Sequence, residues 1–356
     1  RFEGNQFAVL LSHVNDKLDA GRVASKIHDA VTFPYKFKNN DISVGCYLGA
    51  AVYPHDGATK EDLIQKATSA MLETKRRGQS FVIYDAQTHS LAIKRLELES
   101  SASRALEEKQ LELHYQPIVD EKYRIVGAEA LLRWNHPELG PVPPADFIPI
   151  LEQSDLIYPV GKWVLYSACA QLAAWRQLRD IFITLNMSGR EFSSPNIIRN
   201  VQSALGEGCK LDPRNLKIEI TETTCVHNIE ESISHIQSLE LMGVDVFIDD
   251  FGTGNSSLQY LKHLPARVLK IDRSFVTDIN EDSDELDFLD HIVHMIKARH
   301  KRVLIEGVET AEQAELLRNM GCHFMQGYYF SRPVGPEDMQ RLLEGDMVLP
   351  AAARRM

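Results

Sequence analysis

Short apolar runs that end in polar residues alternate with helical stretches along most of the chain, and this alternation constrains the fold more than any other feature. After residue 110, eight such runs follow one another: LELHYQPIV, RIVGAEALLRW, IFITLNMS, LKIEITE, VDVFIDDF, RVLKIDRS, KRVLIEGVE and HFMQGYYFS. Between them lie segments with helical spacing, including GKWVLYSACAQLAAWRQL, EESISHIQSLELMG and ELDFLDHIVHMIKARH. Alternating strands and helices over roughly 250 residues predict either a (β/α) barrel or a doubly wound sheet.

The position of the polar residues favours the barrel. They recur at the end of nearly every predicted strand, as expected where all strands open onto one face. A doubly wound sheet would concentrate its polar chemistry at one crevice, after only one or two strands. We therefore predict an α/β fold with a TIM-like (β/α) barrel over residues 111–345.

The residues before the barrel follow another pattern. Residues 1–88 contain an extended start, a short helix at about residues 20–32 and the strand-like run ISVGCYLGAAVY, and these are followed by a helix around KEDLIQKATSAMLETKRRG and the strand SFVIYDA. This order predicts a partial α+β domain. Residues 89–110 lack Pro and Gly and mix apolar with charged residues at helical spacing, so we predict a linker helix there. A solvated connector and a regulatory helix both fit this segment.

Composition places limits on the partners. With 356 residues, 44% of them hydrophobic and 25% charged, the chain has the composition of a soluble globular protein and the length for two domains. Its apolar runs are short and interrupted by charge, so we predict no membrane span. The net charge of −11 argues against sequence-independent binding to long nucleic acid, although a small phosphate ligand could be held through metal ions. Five scattered cysteines without a CxxC motif fit a reduced, cytoplasmic setting.

The predicted strand ends carry side chains that suit hard metal ions. They are Glu129, Asn186, Glu219, Asp249, Asp250, Glu306, Glu309 and Gln326, accompanied by Lys270 and Asp272. Carboxylate and amide oxygens without His or Cys favour Mg²⁺ or Mn²⁺ over zinc. Clustered acids also repel one another unless cations neutralise them. The set is therefore suited to two-metal phosphoryl transfer, in which Asp249 could bridge the ions and Lys270 could hold the attacking water.

The adjacent carboxylates Asp249 and Asp250 pose a geometric condition. Neighbouring residues of a strand point to opposite faces, so both can serve one site only where the strand stops and the backbone curls. The glycines of the following FGTG segment permit such a curl and a mobile loop. A single strand-end acid is also commonly a helix cap or an ion-pair partner. In that interpretation Asp272 would only orient Lys270, and Gln326 would only satisfy backbone groups.

Residues from about 95 to 344 resemble an EAL domain, the family that hydrolyses cyclic di-GMP to the linear dinucleotide pGpG. The resemblance rests on nine segments in the expected order: EALLRW, with YQPIV, FIPILEQ, LNMS, EITE, DDFGTG, LKID, EGVET and QGYYFSRP. It implies a TIM-like barrel whose first strand runs antiparallel to the others. It also implies a metal-dependent phosphodiesterase of bacterial second-messenger signalling, with two Mg²⁺ or Mn²⁺ ions per site and inhibition by Ca²⁺.

The resemblance further implies residue roles. Glu129, Asn186, Glu219 and Asp249 would bind one metal, and Asp249, Asp250 and Glu306 would surround the second. Lys270, Glu309 and Glu129 would be the catalytic residues, with Lys270 contacting the attacking water and Glu309 and Gln326 supporting the waters at the metals. Gln116, Arg133, Asp272 and Gln326 would bind the cyclic dinucleotide, Arg133 through a phosphate. Glu222 would anchor the mobile loop that starts at Asp250.

Two departures from the family patterns stand out. Asn255 occupies a loop position where EAL domains usually have an aromatic residue. Residues 1 to about 85 resemble the latter half of a GGDEF domain, the diguanylate cyclase fold, with the degenerate signature EGNQF. Asn5 and Gln6 replace its acidic residues, and neutral amides bind Mg²⁺ weakly and cannot act as a base. We therefore predict a regulatory or dimerising part without cyclase activity.

The resemblance implies a composite GGDEF–EAL protein that forms a homodimer and has a sensor domain upstream in its full length. A catalytically silent receptor for cyclic di-GMP is the alternative function, since receptors of this type lose metal ligands but keep the phosphate contacts. A purely structural scaffold is a third interpretation, which leaves the convergent acids without an explanation. Every predicted ligand position here carries a ligand residue, which favours the enzyme.

Overall fold

The structure is a computed structural model that describes residues 1, 4–12, 17–38, 40–42, 44–206, 210–252, 264–280 and 284–345. The chain divides after Ser100 into two compact units. The loop position Asn255 lies outside the described residues.

The first unit is a small α+β arrangement, as predicted. Its elements are α1 (Lys17–Thr32), β1 (Tyr35–Phe37), β2 (Asn40–Ile42), β3 (Leu48–Ala50), α2 (Lys60–Arg77) and β4 (Phe81–Ile83). β3 and β4 are parallel neighbours, with α2 as the connection between them. Helix α2 begins at the N-cap Thr59, whose hydroxyl accepts a hydrogen bond from the Asp62 N–H, and ends at Gly78 with φ 65°. The strand predicted over residues 42–53 is shorter in the structure, where β3 covers only Leu48–Ala50.

The predicted linker helix is present as α3 (Ala86–Ala105), a few residues earlier than expected. It ends before residue 110 because Lys109 adopts φ 55°, a left-handed conformation that a continuing helix excludes. The Gln110 N–H then bonds to the Ala105 carbonyl and closes the helix end.

The second unit contains a closed eight-stranded barrel, which confirms the predicted fold. Its strands are β5 (Leu111–Asp120), β6 (Ile125–His136), β8 (Phe182–Asn186), β9 (Leu216–Thr221), β10 (Asp245–Phe251), β11 (Val268–Ile271), β12 (Arg302–Ile305) and β13 (Phe324–Met325). The first strand, β5, is antiparallel to both of its neighbours, β6 and β13, and closes the barrel between them. The remaining neighbours are parallel, and the short β7 (Gly140–Val142) extends β6 outside the barrel. All eight predicted strand segments are present.

Helices follow the strands. In the described part of this unit they are α4 (Pro144–Gln153), α5 (Ile157–Trp175), α6 (Gly189–Phe192), α7 (Ile197–Gly206), α8 (Glu222–His227), α9 (Ile229–Leu241), α10 (Asp284–Ala298), α11 (Ala311–Asn319) and α12 (Pro336–Glu344). Among the helices of the described residues, none has both the length and the apolar character needed to cross a membrane.

The barrel interior is apolar at one end and polar at the other. Ile118, Phe247, Val268 and Leu304 form a buried cluster in its lower half, towards the N-terminal ends of the parallel strands. Strands enclosed by helices are buried on both faces, which explains their nearly continuous apolar runs. Polar side chains gather towards the C-terminal ends, and this gathering defines the candidate site.

Candidate active site

Strand register brings the polar side chains of successive strands to one level at the C-terminal mouth of the barrel. Gln116 on β5 lies opposite Glu129 on β6, and Glu129 is in register with Thr184 on β8. Asn186, at the end of β8, is in register with Glu219 on β9. Since inward positions of adjacent strands face the same cavity, these side chains converge, as the sequence predicts.

Glu129 is held by amides on both sides. One of its oxygens accepts a hydrogen bond from Asn186 at 2.6 Å, and the other accepts one from Gln326 at 2.7 Å. The Gln326 amide also donates to Gln116 at 2.9 Å. Gln326 therefore contacts side chains of the site, and the interpretation that it only satisfies backbone groups is wrong.

Lys270 lies at the centre of the cluster and is fully buried. Its Nζ atom lies 2.6 Å from a carboxylate oxygen of both Glu219 and Glu306. The corresponding distances are 3.2 Å to Asp249 and 3.8 Å to Glu129. One ammonium thus faces four carboxylates. The cluster as a whole carries an excess of negative charge in a desolvated setting, which is strongly unfavourable without further cations.

Burial and mutual repulsion shift the titration of these groups. Burial raises the pKa of Glu219 well above its ordinary value, although Lys270 opposes the shift. Burial likewise raises the pKa of Glu306 to about 7. Burial would lower the pKa of Lys270, but the surrounding carboxylates raise it well above its ordinary value. Lys270 therefore stays protonated, and Glu219 and Glu306 take up a proton more readily than ordinary carboxylates.

The end of β10 meets the geometric condition for the adjacent aspartates. The pairing of β10 with β11 has a register irregularity between Ile248 and Phe251, and Asp250 adopts φ 55°. The predicted backbone curl is confirmed. The Asp250 N–H donates to Asp249 at 2.9 Å, and partial burial together with the neighbouring carboxylates of Asp249 and Asp272 raises the pKa of Asp250.

Glu222 is the first residue of α8, and its side chain contacts Gly252, the residue that follows β10. Its carboxylate is buried and accepts a hydrogen bond from the Gly252 N–H at 3.2 Å. Gly252 has φ 96°, and a Cβ atom there would lie 3.0 Å from the Phe275 ring. The Gly252 backbone is therefore held by Glu222, and the nearby Phe275 ring leaves little room for a side chain at this position.

Three predicted site residues stand apart from the hydrogen-bonded cluster. The half-buried Arg133 donates to the Leu132 carbonyl, and burial lowers its pKa while Glu129 opposes the shift. Asp272 caps a short 3₁₀ turn, where its carboxylate accepts a hydrogen bond from the Ser274 N–H at 3.0 Å. Glu309 has an exposed side chain, and its own N–H donates to Gln313 at 2.8 Å.

Two supporting residues were not predicted from the sequence. The Ser331 carbonyl accepts a hydrogen bond from Gln116 at 3.1 Å and so positions that amide. Gln313 accepts hydrogen bonds from the Glu309 and Thr310 N–H groups and donates to the Val276 carbonyl. The spacing of Thr310 and Gln313 is that of a capping box, a sequence signal that could have identified Gln313.

The donor set fits divalent metal ions. Within the described residues, three buried oxygens of the barrel interior have no hydrogen-bond partner: Glu219 Oε1, Gln326 Oε1 and Thr184 Oγ1. These oxygens and the excess carboxylate charge suit hard cations. In the present side-chain arrangement the acids converge on the Lys270 ammonium, and no three His, Cys, Asp or Glu residues of the described chain surround a metal position. Ions that use these oxygens would therefore compete with Lys270 for them.

A closed barrel with a polar, carboxylate-rich C-terminal mouth defines an α/β-barrel protein with a candidate active site at the usual end. The chain belongs to the EAL domain family, whose model matches residues 99–333. Residues 1–80 match the model of the diguanylate cyclase GGDEF domain, so the composite architecture is confirmed. EAL phosphodiesterases generally depend on divalent metal ions.

Proteins of the same composite type are similar over nearly the whole chain. The bifunctional diguanylate cyclase/cyclic di-GMP phosphodiesterase MucR of Pseudomonas aeruginosa is 36% identical over 343 residues, which are 95% of this chain and 50% of that protein. The cyclic di-GMP phosphodiesterase PdeR of Escherichia coli is 32% identical over 338 residues, or 93% of this chain and 50% of that protein. The chain thus spans about half the length of these relatives.

A solved structure of the PaMucR phosphodiesterase in complex with c-di-GMP is similar to the barrel. The two sequences are 40% identical over the matched region, which is 68% of this chain and 99% of the PaMucR chain, and the TM-score is 0.65.

Proposed function

We propose that this chain hydrolyses cyclic di-GMP to pGpG with divalent metal ions, in bacterial second-messenger signalling. The observation that carries the proposal is the buried cluster in which four carboxylates face the single ammonium of Lys270. This excess of hard oxygen ligands at the C-terminal mouth suits cation-assisted phosphoryl transfer. The phosphodiesterase names of MucR and PdeR and the c-di-GMP in the PaMucR structure support the same substrate.

Two Mg²⁺ or Mn²⁺ ions per site fit the ligands best. Glu129, Asn186, Glu219 and Asp249 would hold one ion, and Asp249, Asp250 and Glu306 would hold the other. When bound, such ions neutralise phosphate charge and make water more acidic. Because Ca²⁺ forms longer bonds with looser coordination, we expect it to inhibit.

The remaining residues position the reactants. Arg133 would pair with a phosphate, and Gln116, Gln326 and Asp272 would hold the cyclic dinucleotide. Water attacks one phosphorus atom, the bond from phosphorus to the 3′ oxygen breaks, and the leaving oxygen takes up a proton to become a hydroxyl. Lys270 would donate a hydrogen bond to the attacking oxygen, and Glu309 would orient water at the mouth. Glu222 would hold the backbone at Gly252 in place.

The rest of the molecule would serve regulation. The proposed domains are residues 1–88, a GGDEF-like part without cyclase activity, residues 89–110, a linker, and residues 111–345, the phosphodiesterase barrel. A homodimer, a cytoplasmic location and a sensor domain upstream in the full-length protein are part of the same proposal. The proposal of a further domain agrees with the length of the matched relatives, of which this chain spans about half.

Incubation with cyclic di-GMP tests the proposal. Chromatography should detect pGpG with Mg²⁺ or Mn²⁺ and none with EDTA. Glu129→Gln should lower turnover by about a hundredfold or more, because it removes a charged ligand but keeps the shape of the side chain. Glu121→Gln is the matched control, since Glu121 is exposed in the turn that leads into the same strand.

The same experiment distinguishes the enzyme from the silent receptor. Binding of cyclic di-GMP is followed in parallel by titration calorimetry. Tight binding without any product in either metal would contradict hydrolysis and would establish the receptor. Equal turnover in Ca²⁺ and Mg²⁺ would contradict the proposed metal chemistry.

A further inference from the structure

A cavity lies at the opposite end of the barrel from the carboxylate cluster. It has a volume of about 520 Å³ and is lined by residues at the N-terminal ends of the parallel strands and by the loops that precede them. Val126, Phe182, Lys217, Asp245, Val268 and Arg302 show this placement, since each is the first or second residue of its strand. The volume lies within the range of small-molecule sites.

The floor of this cavity is aromatic. Phe182 packs edge-on against Phe247 and Phe324, with ring centroids 6.1 and 5.9 Å apart. Phe247 is fully buried and belongs to the apolar cluster of the lower barrel, whereas Phe182 and Phe324 are only partly buried. The two outer rings therefore offer apolar surface to a flat ligand.

The walls of the cavity are basic, in contrast to the chain as a whole. Arg214, Lys217, Arg267 and Arg302 line it, against only Asp180 and Asp245 among the acids, while the chain carries a net charge of −11. A local excess of positive charge in an acidic protein has no role in the hydrolysis proposed for the other mouth. It creates a potential that attracts small anions.

Part of this charge is already engaged within the protein. Lys217 pairs with Asp245 and lies over the Phe182 ring, and Arg267 is within 3.7 Å of Asp245 and 3.6 Å of Glu240. The exposed Arg214 pairs with Asp212 outside the cavity. Among the described residues, no carboxylate lies within salt-bridge distance of Arg302. Arg302 is thus the cation with the most capacity for an added anion.

We propose that the N-terminal mouth of the barrel is a second ligand site, which binds a nucleoside monophosphate or a similar aromatic phosphate. The base would lie against Phe182 and Phe324, because aromatic rings stack on nucleobases without regard to sequence. The phosphate would pair with the guanidinium of Arg302, with Arg267 beside it, because planar guanidinium groups match phosphate geometry. The site stands independently of the hydrolysis proposed above.

Titration calorimetry with guanosine 5′-monophosphate in EDTA tests this site on the full chain. Without metal ions the other mouth presents carboxylates that repel phosphate, so binding there is suppressed. Arg302→Gln should weaken binding about tenfold, the value of one charge-assisted hydrogen bond. Arg299→Gln is the matched control, because Arg299 is an exposed arginine three residues away that does not line the cavity. Circular dichroism checks that every variant is folded.

Further ligands and variants separate the sources of affinity. Phe324→Leu should weaken guanosine monophosphate binding but leave inorganic phosphate binding unchanged, and guanosine alone should bind more weakly than its monophosphate. Arg133→Gln, at the other mouth, should leave binding intact. The proposal is overturned by absence of binding, by equal losses in Arg302→Gln and Arg299→Gln, or by a loss in Arg133→Gln alone. If inorganic phosphate bound as tightly as the nucleotide, the base would contribute no affinity, and the proposed contact with Phe182 and Phe324 would be wrong.

Discussion

Lys270 is the residue on which the candidate active site depends. Its ammonium is the internal counter-ion of Glu129, Glu219, Asp249 and Glu306; Lys270, Glu129 and Glu219 are buried, and Asp249 and Glu306 are partly buried. Removing one partner from a buried ionic cluster leaves uncompensated charge and is strongly destabilising. The same ammonium competes with any ion that would use these oxygens. Stability and metal binding are therefore coupled at this side chain.

Lys270→Met should separate the two effects. In EDTA it should lower the free energy of unfolding of the barrel by about 3 kcal/mol, because the acids lose their counter-ion. Mg²⁺ or Mn²⁺ should restore much of this loss and should stabilise the variant more than the wild type. Urea unfolding followed by tryptophan fluorescence measures this, since Trp134, Trp163 and Trp175 all lie in the barrel unit.

Lys122→Met provides the control for that comparison, because Lys122 is exposed in the turn between β5 and β6. It should leave both stability and its metal dependence unchanged. If Lys270→Met loses the same free energy with and without metal ions, Lys270 is not a counter-ion in competition with metal.

At the scale of elements, the end of β10 determines where Asp249, Asp250 and the backbone of Gly252 lie. Asp250 and Gly252 both have positive φ, and the Gly252 N–H is bonded to Glu222. This segment joins a barrel strand to the residues that follow it, and its conformation is what lets adjacent aspartates face one mouth. A change that straightens the segment should therefore affect function more than stability.

Gly252→Ala tests this element. A left-handed conformation costs a residue with a Cβ atom about 1–2 kcal/mol, and here the new methyl group would also press on the Phe275 ring. We expect turnover of cyclic di-GMP to fall at least tenfold as the Asp250 backbone shifts. Gly140→Ala is the matched control, since Gly140 has φ 69° but open space around it in the β6–β7 hairpin.

In thermal unfolding, Gly252→Ala should lose more stability than Gly140→Ala, because only its new methyl group presses on the Phe275 ring, and only Gly252→Ala should lose turnover. Equal turnover in the two variants would show that the conformation of this segment does not control the site.

The elements themselves were largely predictable from the sequence. Parallel strands buried on both faces give apolar runs such as LKIEI and VDVFI, and their polar ends showed where the site lies. The adjacent aspartates together with glycine predicted the curl at Asp250. The end of α3 was not predictable, because nothing in the type of residue 109, a lysine, signals φ 55°. The central position of Lys270 was also not predictable. The alternation of residues along a strand shows which face a side chain lies on but not which groups its terminal atom contacts.

The cavity at the opposite mouth shows the same limit of sequence reasoning. Its lining residues come from the starts of strands and from loops far apart in the chain, and no local motif marks them. Only the closure of the barrel brings Phe182, Phe324 and Arg302 together. Polar residues at the C-terminal ends of strands therefore indicate one mouth of a barrel but not a cavity at the other mouth.

At the scale of the whole molecule, the chain combines a barrel with a GGDEF-like part whose signature lacks its acidic residues. Asn5 and Gln6 stand where a cyclase needs carboxylates. We therefore expect the two units to differ in chemistry, although MucR carries both activities in its name.

Incubation with GTP and Mg²⁺ should accordingly yield neither cyclic di-GMP nor pGpG. The Glu129→Gln variant is the appropriate form for this assay, because it would let any cyclic product accumulate. MucR serves as the positive control. Cyclic di-GMP made by this chain would contradict the degenerate assignment of residues 1–88.

The most direct test of the central claim is hydrolysis of cyclic di-GMP in ¹⁸O-labelled water with Mn²⁺, followed by mass spectrometry. Attack of water on phosphorus predicts pGpG that carries one ¹⁸O atom in its terminal 5′ phosphate, and no product with EDTA. Product without the label, or no product in a folded chain that binds the dinucleotide, would contradict hydrolysis by the carboxylate cluster around Lys270.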